Sequence, residues 1–134
     1  MSVDPINPPD LGPASGFAHG QLGRAGGRVL FVAGQIGVVE GAGAQVPMVA
    51  QFGEALRRIL RVVTEAGGSA TDIARMTVFV NDMEMYRQSR RELGPAWKAH
   101  MGRHYPAMSL VEVKSLMEPQ AMVEIEATAV IGGK

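Results

Sequence analysis

A stripe of apolar side chains constrains this chain more than any other feature. Val49, Phe52, Leu56, Ile59, Leu60 and Val63 recur at three- and four-residue steps, the period of one face of a helix. The spacing predicts a helix from about Pro47 to Ala66, with Pro47 suited to a first turn and Gly67-Gly68 to a left-handed stop. Gln51, Glu54, Arg57, Arg58 and Arg61 fall mainly on the opposite, polar side. A helix this one-sided must lie on another apolar surface. The stretch from Ala121 to Ile131 offers one: Val123, Ile125, Ala127 and Ala129 alternate with Glu124, Glu126, Thr128 and Val130, the two-residue period of a strand with one covered face.

The remaining elements follow from similar patterns. Arg28 to Ala33, bounded by Gly34, and Ile73 to Val80 are β-branched apolar runs and read as buried strands. Met108 to Lys114 reads as a strand, with Met117-Glu118-Pro119-Gln120 as the turn into the last one, and Gly16 to Gly20 as a short strand-like stretch. Asn81-x-x-Glu84 resembles a capping box at the start of a second helix. That helix puts Tyr86, Leu93, Trp97 and Met101 on one face and is bent or split at Gly94-Pro95. Residues 35–46 read as a loop or frayed hairpin, and Gly20-Gln21-Leu22-Gly23 and Gly41-Ala42-Gly43 as turn glycines. Prolines 5, 8, 9 and 13 make residues 1–15 an extended lead-in to a single domain over 16–134.

The order β-β-α-β-α-β-β predicts an α+β fold with two helices packed on one face of a mixed sheet. The other face is left bare, and a second copy of the same sheet is its cheapest cover. At 134 residues and 46% apolar the chain can build a core, yet a domain of this size leaves apolar area outside it.

Composition removes several function classes. With no cysteine there is neither a disulfide, nor a thiolate metal site, nor a thiol nucleophile. Thirteen basic residues balance thirteen acidic ones, which argues against nucleic acid as a partner, because affinity for phosphate comes from a cationic excess. Acids and prolines stand where a signal peptide needs a basic start and an apolar run. No stretch reaches the eighteen apolar residues of a membrane span. The expectation is a cytoplasmic protein. Phosphate-loop, dinucleotide and serine-nucleophile motifs are missing, so no cofactor is implied. His19, His100 and His104 are too scattered for a metal pattern, and His100 and His104, four apart, read as solvated histidines near a helix end. Arg57 to Arg61 and Arg87 to Arg91 read as solvated helix faces rather than an RNA surface. Glu124 and Glu126 share one side of the last strand. There Glu124 is either a general base or water-positioner in a cleft or an ion-paired glutamate, while Glu126 is read as the latter.

Five segments together resemble the RidA/YjgF family: Val32-Ala33-Gly34-Gln35-Ile36; the Gln51 helix ending Glu65-Ala66-Gly67; Asp72-Ile73 through Phe79-Val80-Asn81-Asp82; Tyr105-Pro106-Ala107 through Val111-Glu112-Val113; and Val123 to Ala129. The likeness covers nearly everything after residue 15. It implies a chorismate-mutase-like α+β fold and a homotrimer with small-molecule clefts between subunits. For active members it implies cofactor-independent hydrolysis of enamines and imines such as 2-aminoacrylate. In such members an arginine after Tyr-Pro-Ala grips the substrate carboxylate, and a last-strand glutamate places the attacking water.

Glu124 matches that glutamate and Gly34 is retained, but the arginine position holds Met108. A family tyrosine corresponds to Phe17, a serine to Ala33, an asparagine on the second helix to Arg90, and a frequent cysteine to Leu110. Losing a buried, charge-assisted bidentate pair forfeits roughly 3 kcal/mol. The resemblance therefore implies a ligand that is uncharged or held differently, for example by Arg90 or His19. Three functions follow as expectations. One is a divergent deaminase or related hydrolase using Glu124 over a cleft lined by Phe17, Ala33, Met108 and Leu110. The second is a non-catalytic small-molecule binder or sensor. The third, argued against by the neutral charge, is an endoribonuclease or translation inhibitor.

Overall fold

The strand with the cleanest alternation lies inside the sheet, where alternation has the most effect. In the computed structural model, which describes residues 1–38 and 46–134, these residues form β1 (Val3–Ile6), β2 (Gly20–Gly23), β3 (Arg28–Ile36), α1 (Met48–Glu65), β4 (Ile73–Val80), α2 (Met83–Gln88), α3 (Arg90–Met101), β5 (Ala107–Glu112) and β6 (Val123–Ile131). The main sheet has the order β3-β6-β4-β5; β6 is antiparallel to both neighbours, and β4 runs parallel to β5. Val123, Ile125, Ala127, Ala129 and Ile131 are all buried, one covered face along the whole of β6. The α+β, mixed-sheet expectation holds, with three helices in place of two.

α1 ends within a residue of its expected limits, and its stripe packs on β3, β6 and α3. Leu56, Ile59 and Val63 are fully buried, and each such side chain contributes roughly 1.5–3 kcal/mol. Gln51 departs from the reading that put it on the polar side: it is fully buried. Its amide nitrogen donates to the carbonyls of Val46 (2.8 Å) and Gln120 (3.1 Å), and its oxygen accepts from the Met122 amide at 2.8 Å. A fully satisfied amide can sit in a core, and this one ties the entry of α1 to the entry of β6.

The second helix divides at Ser89 rather than at Gly94-Pro95. The Ser89 hydroxyl donates to the Met85 carbonyl at 2.8 Å, closing α2 after six residues. Pro95 lies inside α3, where the carbonyl it leaves unpaired belongs to solvent-facing Arg91. The cap of α2 is Asp82, accepting from the Met85 amide at 3.0 Å. Asn81, expected to cap, instead donates to the Ala121 carbonyl.

The N-terminal segment carries more structure than an extended lead-in. Val3–Ile6 pairs antiparallel with Gly20–Gly23, so the glycines read as a turn there belong to a strand. The strand-like stretch at 16–20 is irregular apart from a single bridge from Ala18 to Ala107. Pro5 is tolerated because β1 and β2 form a two-stranded sheet of their own with free edges. β3 continues past Gly34 to Ile36. The loop expected over 35–46, with its turn glycines Gly41 and Gly43, falls mainly on 39–45, outside the described residues. His104, expected to be solvated, is buried with its Nε2 2.7 Å from the Ile73 carbonyl. Among the described residues, no helix is long and apolar enough to cross a membrane.

Candidate functional site

The eight residues singled out from sequence fall into three groups on the surface of one chain. Glu124, Ala33 and Gly34 form the first. β3 slips register against β6 between Val32 and Gln35, with Val32 opposite Ala127 and Gln35 opposite Ile125. Ala33 and Gly34 therefore share the single position facing Glu126, a bulge that bends the strand. A Cβ on Gly34 would lie 2.7 Å from the Glu124 Oε2, so the missing side chain is what leaves room for the carboxylate. Glu124 is half-buried, and both Ala33 and Gly34 are exposed.

Glu124 stands opposite Phe79 of β4, and Glu126 opposite Thr77. Both therefore share the uncovered face, as the alternation required. Glu126, Arg75, Thr77 and Phe31 line a shallow hollow of about 220 Å³ on it. Among the described residues, neither glutamate is in an ion pair.

Met108, Leu110 and Arg90 form the second group, on the other side of the sheet. Met108 is level with Met76 and Leu110 with Val78. Those two partners are fully buried beneath the helices, and both Met108 and Leu110 pack against that core. Met108 and Arg90 line one cavity of about 280 Å³, with Phe52, Tyr86, Trp97 and Tyr105 among its walls. Trp97 and Tyr105 stack at 5.9 Å between centroids with planes 2° apart. Burial pushes the Tyr86 phenol up, and the nearby Arg90 guanidinium draws it partly back.

Phe17 and His19 form the third group, in the segment leading to β2. Their rings meet edge to face at 5.1 Å. The His19 Nε2 is 3.2 Å from the Gly12 carbonyl, and its amide donates to Asn7 at 2.8 Å. Phe17 borders a separate cavity of about 280 Å³ with Arg103 and Tyr105. Neither Phe17 nor His19 lines the cavity that Met108 and Arg90 share.

Glu124 and Met108 thus face opposite ways from one sheet, and a single chain does not assemble the eight residues into one cleft. The aromatic wall was missed from sequence. Tyr86, Leu93 and Trp97 were read as one packing face, and nothing in the pattern set Tyr105 against Trp97. The usable signal was Gly94, standing four residues from both Arg90 and Lys98.

These features define a class: a small α+β chain with helices on one face of a mixed sheet and the other face open. The family described as Endoribonuclease L-PSP matches residues 12–131. A RutC family protein of Haemophilus influenzae is 35% identical over 106 residues, covering 78% of this chain and 80% of its own. Among solved structures, a protein of unknown function of the conserved Rid family, YyfB from Yersinia pestis, superposes with a TM-score of 0.82 at 26% identity, covering 98% of this chain and 100% of its own. TdcF of E. coli, solved with bound serine, gives 0.65 at 27% identity, covering 97% and 98%. The chain belongs to the RidA/YjgF family.

Proposed function

We propose that the chain acts as a homotrimer with small-molecule clefts between subunits, and that it is a divergent deaminase hydrolysing an enamine or imine. The observation that carries this reading is the Glu124 carboxylate seated over Gly34 at an exposed bulge. Opposite placement supports the assembly: a cleft holding both Glu124 and Met108 takes them from two different chains. Glu124 accepts a proton from water as the water oxygen attacks the C=N carbon, and the nitrogen takes up a proton. The carbinolamine then releases ammonia and leaves a carbonyl. Water and a proton carrier are sufficient for that balance.

TdcF with bound serine supports a ligand of amino-acid size. Met108 argues against the usual 2-aminoacrylate-type substrate, because a thioether offers neither charge nor donor to a carboxylate at that point. The same substitution favours the second reading, a non-catalytic binder or sensor in the same clefts. RNA cleavage is not proposed, since the net charge is zero.

Ammonia release from freshly generated 2-aminoacrylate and iminopropionate tests the reading, with the wild type beside Met108→Arg and Glu124→Gln. The expected result is activity on these compounds in Met108→Arg alone, abolished when Glu124→Gln is added. Equal activity in wild type and Met108→Arg overturns the role given to Met108, and turnover that survives Glu124→Gln overturns the role of the glutamate. Ligand-induced thermal shifts without conversion in any variant select the binder. A monomer in sedimentation removes the shared cleft.

A further inference from the structure

Arg90, Gly94 and Lys98 stand four residues apart on α3, and such residues share a helix face. All three border the cavity that Met108 also lines. A Cβ on Gly94 would meet nothing within 4 Å, so the glycine leaves a notch between two cations about 12 Å apart along the helix. The five ion pairs among the described residues engage Arg24, Arg57, Arg58, Arg61 and Arg87, and neither Arg90 nor Lys98 is in one. The cavity walls carry no carboxylate.

Below that cationic rim the cavity is aromatic. Leu93 and Trp97, again four apart, make its floor, and Phe52, Tyr86 and Tyr105 stand around it. Phe52 lies 6.4 Å from Tyr86 and 6.5 Å from Trp97 between centroids. At about 280 Å³ the space lies just below the usual range for drug-sized ligands, about 300 Å³ and upward, and so suits a smaller molecule. We infer that this cavity takes a small aryl or branched-alkyl carboxylate, its apolar body on Trp97 and Tyr105 and its acid group in the Gly94 notch between Arg90 and Lys98. The inference rests on the cleft proposed above, since Met108 belongs to both, and names its ligand class: an acid anchored from α3.

The test is equilibrium binding to the intact protein, read by the emission of Trp97, the chain's one tryptophan, and by calorimetry. The probes are 3-phenylpropionate, the neutral 3-phenylpropionamide and propionate. The acid is expected to shift the emission and to bind about tenfold or more tightly than the amide, the usual worth of a charge-assisted contact; propionate gives no signal. Arg90→Gln or Lys98→Gln brings the acid toward the affinity of the amide. Gly94→Leu fills the notch and abolishes binding of both ring compounds, while thermal unfolding stays unchanged or moves up, because glycine is a poor helix former.

Equal affinity for acid and amide overturns the inference, as does full binding by Gly94→Leu. Glu124→Gln separates the two proposals, since no cavity wall contains Glu124. Binding retained there, with the turnover of Met108→Arg lost when Glu124→Gln is added, supports both. Binding absent in every variant while Glu124-dependent turnover persists removes the ligand class and leaves the hydrolase standing.

Discussion

The two faces of the sheet are written on the same strands and end in different conditions. Beneath the helices, Met76, Val78, Val80, Val123 and Ile125 are fully buried. One residue along, on the open face, Phe31 is 78% exposed and Val29 57%, beside exposed Arg75 and Glu126. The covered face finishes its core within one chain. The open face keeps large apolar groups in water together with charges that have no ion-pair partner among the described residues. Its apolar area contributes only when something covers it. Residues for stability and for the proposed chemistry therefore interleave singly: Ile125 closes the core, and Glu124 beside it is the proposed base.

The sharpest break of this contrast compares Ile125→Ala with Phe31→Asp. Removing the Ile125 side chain leaves a cavity in a closed core and is expected to cost about 3 kcal/mol, read as a lower urea midpoint. Phe31→Asp is expected to leave secondary structure by circular dichroism intact and to lower the sedimenting mass. If Phe31→Asp sediments as the wild type does, the open face is not the association surface.

Two glycines of β3 and its exit sharpen the contrast at a smaller scale. A Cβ on Gly37 would run into the backbone of Gln51, at the start of α1. That backbone belongs to the first turn of α1, where the Gln51 amide donates to the Pro47 carbonyl at 3.0 Å, so Gly37→Ala is expected to cost about 2 kcal/mol. The three atoms nearest a Cβ on Gly34 are the Cγ, Cδ and Oε2 of Glu124, a side chain that can swing away. Gly34→Ala should change stability by less than about 0.5 kcal/mol while displacing the carboxylate, so adding it to Met108→Arg lowers turnover and leaves the urea midpoint in place. A matching loss of stability in both variants would erase the distinction.

Legibility in the sequence followed the same divide. β4, α1 and β6 were readable because each buries one regular face, and burial enforces the period. Gln51 misled because a polar side chain on a helix suggests solvent, whereas its three backbone partners come from residues 46, 120 and 122, one close by and two distant in sequence. β1 was hidden by prolines that a free edge accepts, and the Ser89 break by a single hydroxyl-to-carbonyl bond. Alternation put Glu124 and Glu126 on one side, but only the parallel register of β4 with β5 turns Met108 to the other. The grouping of Met108 with Arg90, and their separation from Phe17, depends on tertiary packing that spacing does not encode.

The outer surface of α1 supplies the smallest expected effect and a control for the open face, because there the charges are already matched. Glu54 bridges Arg57 at 2.7 Å and Arg58 at 2.9 Å. The Arg57 hydrogen bond, set against some desolvation and aided by Arg58, holds its carboxyl down at about 2. A carboxyl that is more acidic folded than unfolded adds stability above its unfolded value of 4.5 and loses it as the pH falls through about 2. The side chain is 25% exposed, and surface pairs on a helix are worth little, so Glu54→Gln should cost about 0.5 kcal/mol at pH 7. Wild type and variant should converge in urea titrations as the pH drops from 4.5 toward 2. A gap that stays constant over that range would mean that the substitution acts through helix packing, and that matched charges are not what separates this surface from the open sheet.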